Sequence, residues 1–66
     1  MNKINFCKNL RGIRKLKKKS QKQLARYAGL SQSYISSLEL GISSPTLKVI
    51  EKLSRGLNVS VAELLF

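Results

Sequence analysis

The sequence predicts an all-α fold of five short helices. Apolar residues recur three or four positions apart in five segments, and no segment shows the period-two alternation typical of a strand. Segment ends carry serines that can cap helix starts and glycines that can end helices: Ser20, Ser31 and Ser60, and Gly29, Gly41 and Gly56. The 66 residues suffice for one small domain over residues 1–66, with a core of marginal size.

The first two helices follow from their apolar residues. A stripe at helical spacing predicts a first helix over about residues 3–17 and consists of Phe6, Leu10, Ile13 and Lys17. Lys17 can close this stripe because its aliphatic stem can cover apolar surface while its ammonium stays in water. After the expected cap Ser20, a second helix over about 21–28 carries Leu24, Ala25 and Ala28.

The remaining three helices are shorter or less regular. Ile35 and Leu38 predict a third helix over about 32–40 behind the cap Ser31. Pro45 suits the start of a fourth helix over about 46–55, which Gly56 ends. Its apolar stripe is Leu47, Ile50 and Leu53, and a fifth helix behind Ser60 carries Val61, Leu64 and Leu65.

The charge is large and unevenly distributed. Lysine and arginine total 13 against three acids, so the net charge is +10. Residues 1–26 hold ten bases and no acid, whereas residues 27–66 hold three of each and are neutral. This bias favours a polyanion partner. The alternative is a solvated basic face that only maintains solubility, although +10 is more than a small domain needs for that.

Several classes of function are disfavoured by composition. One cysteine, Cys7, and no histidine leave no internal disulfide and no zinc site, so no metal or cofactor is expected. The three glutamates are spaced along separate predicted helices, which argues against an enzyme. A reduced thiol, the lack of a long apolar run and a polar N-terminus suggest a cytoplasmic protein without a signal peptide or membrane span.

Residues 21–40 form a helix-turn-helix candidate. Ala25 is small where two helices must approach, and Gly29, four residues later, suits a left-handed turn. Two alternatives remain open. A basic amphipathic first helix could bind RNA or a membrane surface, but it would leave Ala25, Gly29, Glu39 and Pro45 without a common purpose. A protein-interaction module, such as an antitoxin, could use Leu40, Ile42 and Phe66 as an apolar patch.

The motifs resemble the Cro/phage-repressor-type (XRE) helix-turn-helix family over about residues 10–65. The matching elements are Ser20-Gln21, Leu24-Ala25, Gly29-Leu30-Ser31, Ile35-Ser36, Leu38-Glu39, Gly41, Pro45 and Leu57-Asn58-Val59-Ser60. The resemblance implies a compact five-helix, lambda-repressor-like domain that binds double-stranded operator DNA as a homodimer. It usually implies a transcriptional repressor on a palindromic operator, and the family also includes restriction–modification controllers and antitoxin-type regulators.

The serine-rich third helix is the expected reading element. On a helical wheel anchored at Ile35, its polar residues fall on the outer face and flank, and the N-terminal part of such a helix meets base edges in the major groove. Short hydroxyls and an amide can bond base edges, whereas lysines would bind any DNA alike. The candidate base contacts are Gln32, Ser33, Ser36 and Ser37. Alternatively, the serines are a neutral surface.

Other residues are candidates for contacts with the DNA backbone. The resemblance assigns Gln21 to a phosphate or an outer base at the start of the second helix, where unpaired N–H groups attract anions. The phosphate candidates are Gln21, Lys19, Lys22, Tyr34, Ser43, Ser44 and Lys48. Tyr34 is equally consistent with a place partly in the core.

Two departures from the family pattern stand out. Lys18 and Lys19 replace the usual Gly or Asn and apolar residue before Ser20-Gln21, which affects the end of the first helix. Leu40 and Ile42 stand around Gly41 where the family often has basic residues, which weakens the usual phosphate contacts and leaves two apolar side chains for solvent.

Two further contacts are expected. Arg14 and Glu39 lie at the rims of facing apolar stripes and should form a structural salt bridge, because an unpaired buried charge is costly. The resemblance supports this pair. Dimerisation is expected at the C-terminal end, away from the basic half, through Val61, Glu63 and Phe66.

Overall fold

The computed structural model describes the backbone of residues 3–66 and the side chains of residues 5–66. It contains five helices and no strand in this part of the chain. They are α1 (Lys3–Leu16), α2 (Gln21–Ala28), α3 (Gln32–Leu40), α4 (Leu47–Leu57) and α5 (Val61–Leu65). The predicted all-α, five-helix fold is therefore confirmed. Among residues 3–66, every helix is too short or too polar to cross a bilayer.

Each helix after α1 begins at a hydroxyl cap. The side chains of Ser20, Ser31 and Ser60 accept backbone N–H groups of the helices that follow, as predicted. Ser20 forms a reciprocal capping box with Gln23. In α4, Thr46 is the cap and accepts the N–H of Val49 at 3.2 Å, so Pro45 lies just outside the helix rather than in its first turn.

The core is a single apolar cluster to which all five helices contribute. It consists of Phe6, Leu10, Leu24, Ala25, Ala28, Ile35, Leu38, Ile50, Leu53, Leu57 and Leu64. The helices pack as the pairs α2–α4, α1–α5, α2–α3, α1–α3 and α4–α5. A buried leucine contributes about 1.5–3 kcal/mol relative to an exposed one. Stability therefore comes from this shared interior, since helices this short are marginal in isolation.

The sequence-based bounds of α1 and α4 were wrong in detail. Helix α1 ends at Leu16, and Lys17 is an exposed turn residue instead of the last member of the apolar stripe. Leu47 is 64% exposed, so it does not extend the buried stripe of α4. Helix α4 continues through Gly56 to Leu57 and ends at Asn58, whose backbone is left-handed with φ 56°.

Gly56 is a site of close helix approach and not a helix end. A Cβ atom at this position would lie 3.2 Å from Leu24 Cδ1 and 3.4 Å from the backbone N of Ala28. The 3.2 Å contact is tighter than nine in ten Cβ contacts in proteins, so a side chain here would require Leu24 to shift, and its absence allows α4 to pack closely on α2. The glycine thus positions the helix that supports the back of the helix-turn-helix unit.

Four helices end at a residue in the left-handed conformation, and one of these residues is a lysine. The others are Gly29 (φ 70°), Gly41 (φ 79°) and Asn58, residue types that adopt this conformation readily. After α1 the position is occupied by Lys18, with φ 56°. Its N–H donates to the Lys15 carbonyl at 2.9 Å, and the next N–H, of Lys19, donates to the Arg14 carbonyl at 3.1 Å. This is the hydrogen-bond pattern of a Schellman cap, formed here without glycine.

Replacing Lys18 with glycine should stabilise the protein. A left-handed residue that carries a Cβ costs about 1–2 kcal/mol, part of which is offset because glycine gives the unfolded chain more freedom. We therefore expect Lys18→Gly to raise the free energy of unfolding by about 0.5–1 kcal/mol and the Tm by a few degrees. Thermal and urea denaturation measure this effect.

The matched control is Lys17→Gly. It removes the same charge from the same turn at a residue whose φ is not positive. Glycine there gains no relief and adds backbone entropy to the unfolded state, so Lys17→Gly should lower stability. Equal changes in both variants would mean that charge, and not backbone conformation, controls the stability of the turn.

Candidate nucleic-acid interface

Helices α2 and α3 form a helix-turn-helix unit joined by Gly29, Leu30 and Ser31. The left-handed backbone of Gly29 reverses the chain, and the N–H of Leu30 donates to the Ala25 carbonyl at 2.9 Å. Ser31 then caps α3 by accepting the N–H of Tyr34 at 3.1 Å. Ala25 is buried, as expected for a position where the two helices approach. The unit is therefore fixed both by its turn and by its packing.

Helix α3 turns one side to the core and the other outward. Ile35 and Leu38 are fully buried, whereas Gln32 and Ser33 at the N-terminal end are exposed. Ser36 and Ser37 are half-buried and less accessible than their wheel positions suggest. The Ser37 carbonyl accepts the N–H groups of Ile42 and Ser43, so the end of α3 is tied to the following loop. The open polar surface of α3 is thus concentrated in its first turn.

The expected ion pair between Arg14 and Glu39 is present and forms the centre of a larger network. Arg14 Nε donates to Glu39 Oε2 at 2.6 Å, and Arg14 Nη2 donates to Oε1 at 3.0 Å. Arg14 Nη1 also donates to the Lys19 carbonyl at 2.9 Å. Gln21 Nε2 donates to Glu39 Oε1 at 3.1 Å. The network therefore joins α1, the turn after it, α2 and α3.

The network lies largely out of solvent. The side chains of Arg14 and Glu39 are 11% and 4% exposed. Burial alone would raise the pKa of Glu39, but hydrogen bonds from Arg14 and Gln21, together with the charges of Arg14 and Arg11, lower it overall. The hydrogen bond to Glu39 raises the pKa of Arg14 against the opposing effect of burial. Both groups are thus held in their charged forms.

A cleft of about 180 Å³ opens beside this ion pair. Its walls are formed by Arg11, Arg14, Gln21, Ser36, Glu39 and Leu40. It lies where α1, the start of α2 and the end of α3 converge. Its polar walls include two arginines, and Glu39 is already neutralised by Arg14. The cleft can therefore offer hydrogen bonds and positive charge to a bound group.

The candidate phosphate contacts differ in their exposure. Lys22, Ser44 and Lys48 are exposed, whereas Gln21 and Ser43 are half-buried. The ammonium of Lys19 lies 4.6 Å from the centre of the Tyr27 ring, a cation–π contact that holds this lysine beside α2.

Tyr34 is half-buried and packs against the core, which is the alternative considered for it from the sequence. The Gln21 amide nitrogen is engaged by Glu39, although an amide nitrogen carries a second proton that remains available for another acceptor.

The candidate dimer residues differ in their surroundings. Phe66 is 91% exposed. Val61 is half-buried and packs against the core cluster, while Glu63 is exposed and forms the capping box of α5 with Ser60. Leu40 and Ile42 are 71% and 72% exposed, as the departure from the family pattern suggested.

Comparison with known proteins identifies the family. A helix-turn-helix family model matches residues 10–64, which span α2 to α4 and parts of α1 and α5. The chain belongs to the XRE-type helix-turn-helix family of DNA-binding transcription regulators. This is a family of regulators and not of enzymes.

Individual members of the family resemble the chain over most of its length. The control protein C.SmaI of Serratia marcescens is 40% identical over 60 residues, which cover 91% of this chain and 71% of that protein. The crystal structure of the restriction-modification controller protein C.AhdI from Aeromonas hydrophila matches with a TM-score of 0.91 and 35% identity, covering 94% of each chain. A hypothetical transcription factor, NHTF from Neisseria, matches with a TM-score of 0.92 and 34% identity, covering 97% of this chain and 74% of that one.

Sequence reasoning missed two features of this XRE-type domain. The bond between Gln21 and Glu39 was not anticipated, because Gln21 was assigned to DNA and its inward partner lies 18 residues away. Arg11 also lines the cleft and contributes to the electrostatic environment of Glu39. Arg11 precedes Arg14 by three residues, and residues at this spacing are neighbours on a helix surface. This spacing could have predicted that Arg11 lies near Glu39.

Removing one partner of the ion pair should destabilise the protein strongly. Arg14→Ala leaves the buried carboxylate of Glu39 without its principal partner, and we expect a loss of about 3–5 kcal/mol in chemical denaturation. Lys8→Ala is the matched control, because Lys8 carries the same charge on the same helix but is exposed and lies outside the cleft; its effect should stay within about 0.5 kcal/mol. The double variant Arg14→Met/Glu39→Leu should lose less than Arg14→Ala.

The same experiment has a pH signature. Because the folded-state pKa of Glu39 is lowered from 4.5, its contribution to stability is present above that value and disappears as pH falls through the folded pKa. Glu39→Gln should therefore show a flatter loss of stability in acid than the parent. An unchanged acid profile, or an Arg14→Ala variant that melts like the parent, would show that the pair contributes little.

Proposed function

We propose that this chain regulates transcription by placing α3 in the major groove of a specific double-stranded DNA site. The observation that best supports this proposal is the first turn of α3, where Gln32 and Ser33 are exposed and uncharged on a chain of net charge +10. The cap at Ser31 and the Arg14–Glu39–Gln21 network hold this turn in a defined place. A positively charged protein with an uncharged reading surface can attract DNA generally and still discriminate among base edges.

The four candidate base-contact residues would contribute to base recognition according to how exposed their side chains are. The Gln32 amide can bond adenine through two atoms, and the Ser33 hydroxyl can donate or accept. Ser36 and Ser37 are half-buried, so their hydroxyl groups are less accessible and would make weaker contacts with the bases. The backbone contacts proposed are Gln21, Lys19, Lys22, Tyr34, Ser43, Ser44 and Lys48.

Two regulatory roles are compatible with this binding mode. A repressor on a palindromic operator is the general expectation for the family. The similarity to the control protein C.SmaI and to the restriction-modification controller C.AhdI favours the more specific role of a restriction–modification controller. In either role we propose that the protein acts in the cytoplasm, on DNA. Transcription from a promoter that carries the selected binding site, measured at increasing protein concentration, distinguishes repression from activation.

Variants of the first turn of α3 test the proposed reading mode. A binding site is first selected from random duplexes with the parent protein. Gln32→Ala and Ser33→Ala should each weaken binding to that site by about 1–3 kcal/mol while binding to random DNA hardly changes. Lys22→Ala is the matched control from the phosphate set and should weaken both alike. A specificity ratio that stays the same in the α3 variants would contradict reading by this helix.

We also propose that the protein binds its site as a two-fold dimer through residues 55–66. One reading helix contacts too few base pairs to select a site in a genome, and a dimer places two such helices about one DNA turn apart. Phe66 supports this surface because a large aromatic side chain that is 91% exposed is an apolar liability in a monomer. Val61 and Glu63 would complete the interface, although each also has a role within its own protomer.

Phe66→Asp is the sharpest test of this interface. Phe66 makes the least contribution to its own fold, whereas Val61→Asp would also disturb the core. Sedimentation at increasing concentration should show self-association of the parent and its loss in Phe66→Asp. The control is Leu16→Asp, which places the same charge at another exposed apolar residue, 82% exposed and outside the interface. A parent that stays monomeric on DNA and protects a single half-site would contradict the proposal.

A further inference from the structure

The turn between α1 and α2 carries three consecutive lysines in an unusual arrangement. We call Lys17, Lys18 and Lys19 the lysine turn. Lys18 has a left-handed backbone, a conformation that the other three left-handed helix ends assign to glycine or asparagine. A lysine at this position therefore sacrifices stability that a smaller residue would provide. This loss of folding stability is explained if the Lys18 ammonium group binds a ligand.

Among the described side chains, the fold pairs none of the three lysine charges with a carboxylate, and Lys19 alone has an internal contact, with the Tyr27 ring. The ion pair described for residues 5–66 joins Arg14 to Glu39, and within these residues no carboxylate pairs with the lysine turn. Lys17 and Lys18 are exposed. The three lysines are consecutive in the sequence, so the turn has a high density of positive charge. Its cost to the fold is the left-handed backbone of Lys18, and a polyanion is the partner that such a charge would attract.

The backbone of the turn is held in place by hydrogen bonds. Arg14 Nη1 binds the Lys19 carbonyl at 2.9 Å, and the two cap hydrogen bonds fix Lys18 and Lys19 to the end of α1. The Lys19 ammonium lies over the Tyr27 ring. The chain then passes directly to Ser20, the cap of α2, so the lysine turn is adjacent to Gln21 and Lys22. The backbone that carries the three lysines is therefore fixed next to the proposed phosphate contacts Gln21 and Lys22.

We propose that Lys17 and Lys18 extend the proposed phosphate contact at Lys19, so that the whole lysine turn binds the phosphate backbone of duplex DNA with Lys18 as its central contact. This inference rests on the proposed function and deepens it by adding contacts that carry no sequence information. Lysine at this left-handed position lowers the folding stability of the protein and raises its affinity for DNA. Binding through this turn strengthens attachment to any duplex and leaves the discrimination by α3 unchanged.

The test is to measure thermal stability and DNA affinity in the same variant, because the proposal predicts that the first rises while the second falls. Lys18→Gly and Lys18→Asn keep a residue suited to the left-handed backbone and remove the charge. Both should melt at a higher temperature than the parent, yet bind a mixed-sequence duplex of about two helical turns several-fold more weakly. The slope of log affinity against log salt should fall by about 0.9 for each phosphate contact that is lost per protomer. Lys18→Arg should retain the parent's affinity.

Lys8→Ala is the control for net charge. Lys8 is exposed on α1, about 14 Å along the helix from the lysine turn. It should change the affinity and the salt slope much less than the Lys18 variants. Equal effects of Lys8 and Lys18 would overturn the proposal in favour of a diffuse charge effect, and so would Lys18→Gly binding duplex DNA as tightly as the parent.

The experiment distinguishes a failure of the proposed function from a failure of the lysine-turn proposal. A parent protein that binds no duplex at any salt concentration contradicts the proposed function itself, whatever the Lys18 variants do. If that parent instead bound single-stranded RNA or anionic lipid vesicles in a manner that depends on Lys18, the duplex assignment of the lysine turn would also be overturned. Weaker but still selective duplex binding by Lys18→Gly supports both conclusions together.

Discussion

The buried ion pair between Arg14 and Glu39 is the contact on which the arrangement of the binding surface depends. Arg14 comes from α1 and Glu39 from the end of α3, and their remaining hydrogen-bonding groups reach the Lys19 carbonyl and the Gln21 amide. One guanidinium and one carboxylate thus fix the turn before α2, the first residue of α2 and the outer part of α3 relative to one another. Apolar side chains could fill the same volume, but they would not specify these directions.

The apolar core performs a different task. Its residues bring the helices together with little directional preference, and Gly56 sets how closely α4 approaches α2. The domain therefore separates the source of its stability from the source of its alignment. Binding surfaces built from rigid elements gain from such a division, because displacement of a reading helix by about 1 Å weakens the hydrogen bonds that it makes.

The elements that could be predicted from the sequence are those governed by local rules. Ser20, Ser31 and Ser60 are caps because short hydroxyl side chains satisfy the first free N–H groups of a helix, and this rule depends on few neighbours. The stripe of Phe6 and Leu10 and the pairing of Arg14 with Glu39 followed from helical periodicity and the cost of an unpaired buried charge. Family resemblance then supplied the fold and the class of partner.

The features that could not be predicted depend on distant contacts. Gly56 resembles a helix end in sequence, and only the proximity of Leu24 and Ala28 explains why a glycine lies inside α4. Leu47 fits the apolar stripe of α4 but lies in the first turn, beyond the edge of the core. Gln21 has an inward partner that its own segment does not reveal. The DNA-contact roles of the α3 residues likewise depend on a partner molecule, which the sequence of one chain does not contain.

The shortness of α3 has a consequence for the life of the protein in a cell. This helix has nine residues, of which Ile35 and Leu38 are buried, and so it cannot persist outside the folded domain. Any molecule that binds the outer face of α3 therefore binds the native state alone and shifts the folding equilibrium towards it by mass action. Protein attached to its target is withdrawn from the unfolded population on which proteases act. Copies bound to the target would then be degraded more slowly than free copies.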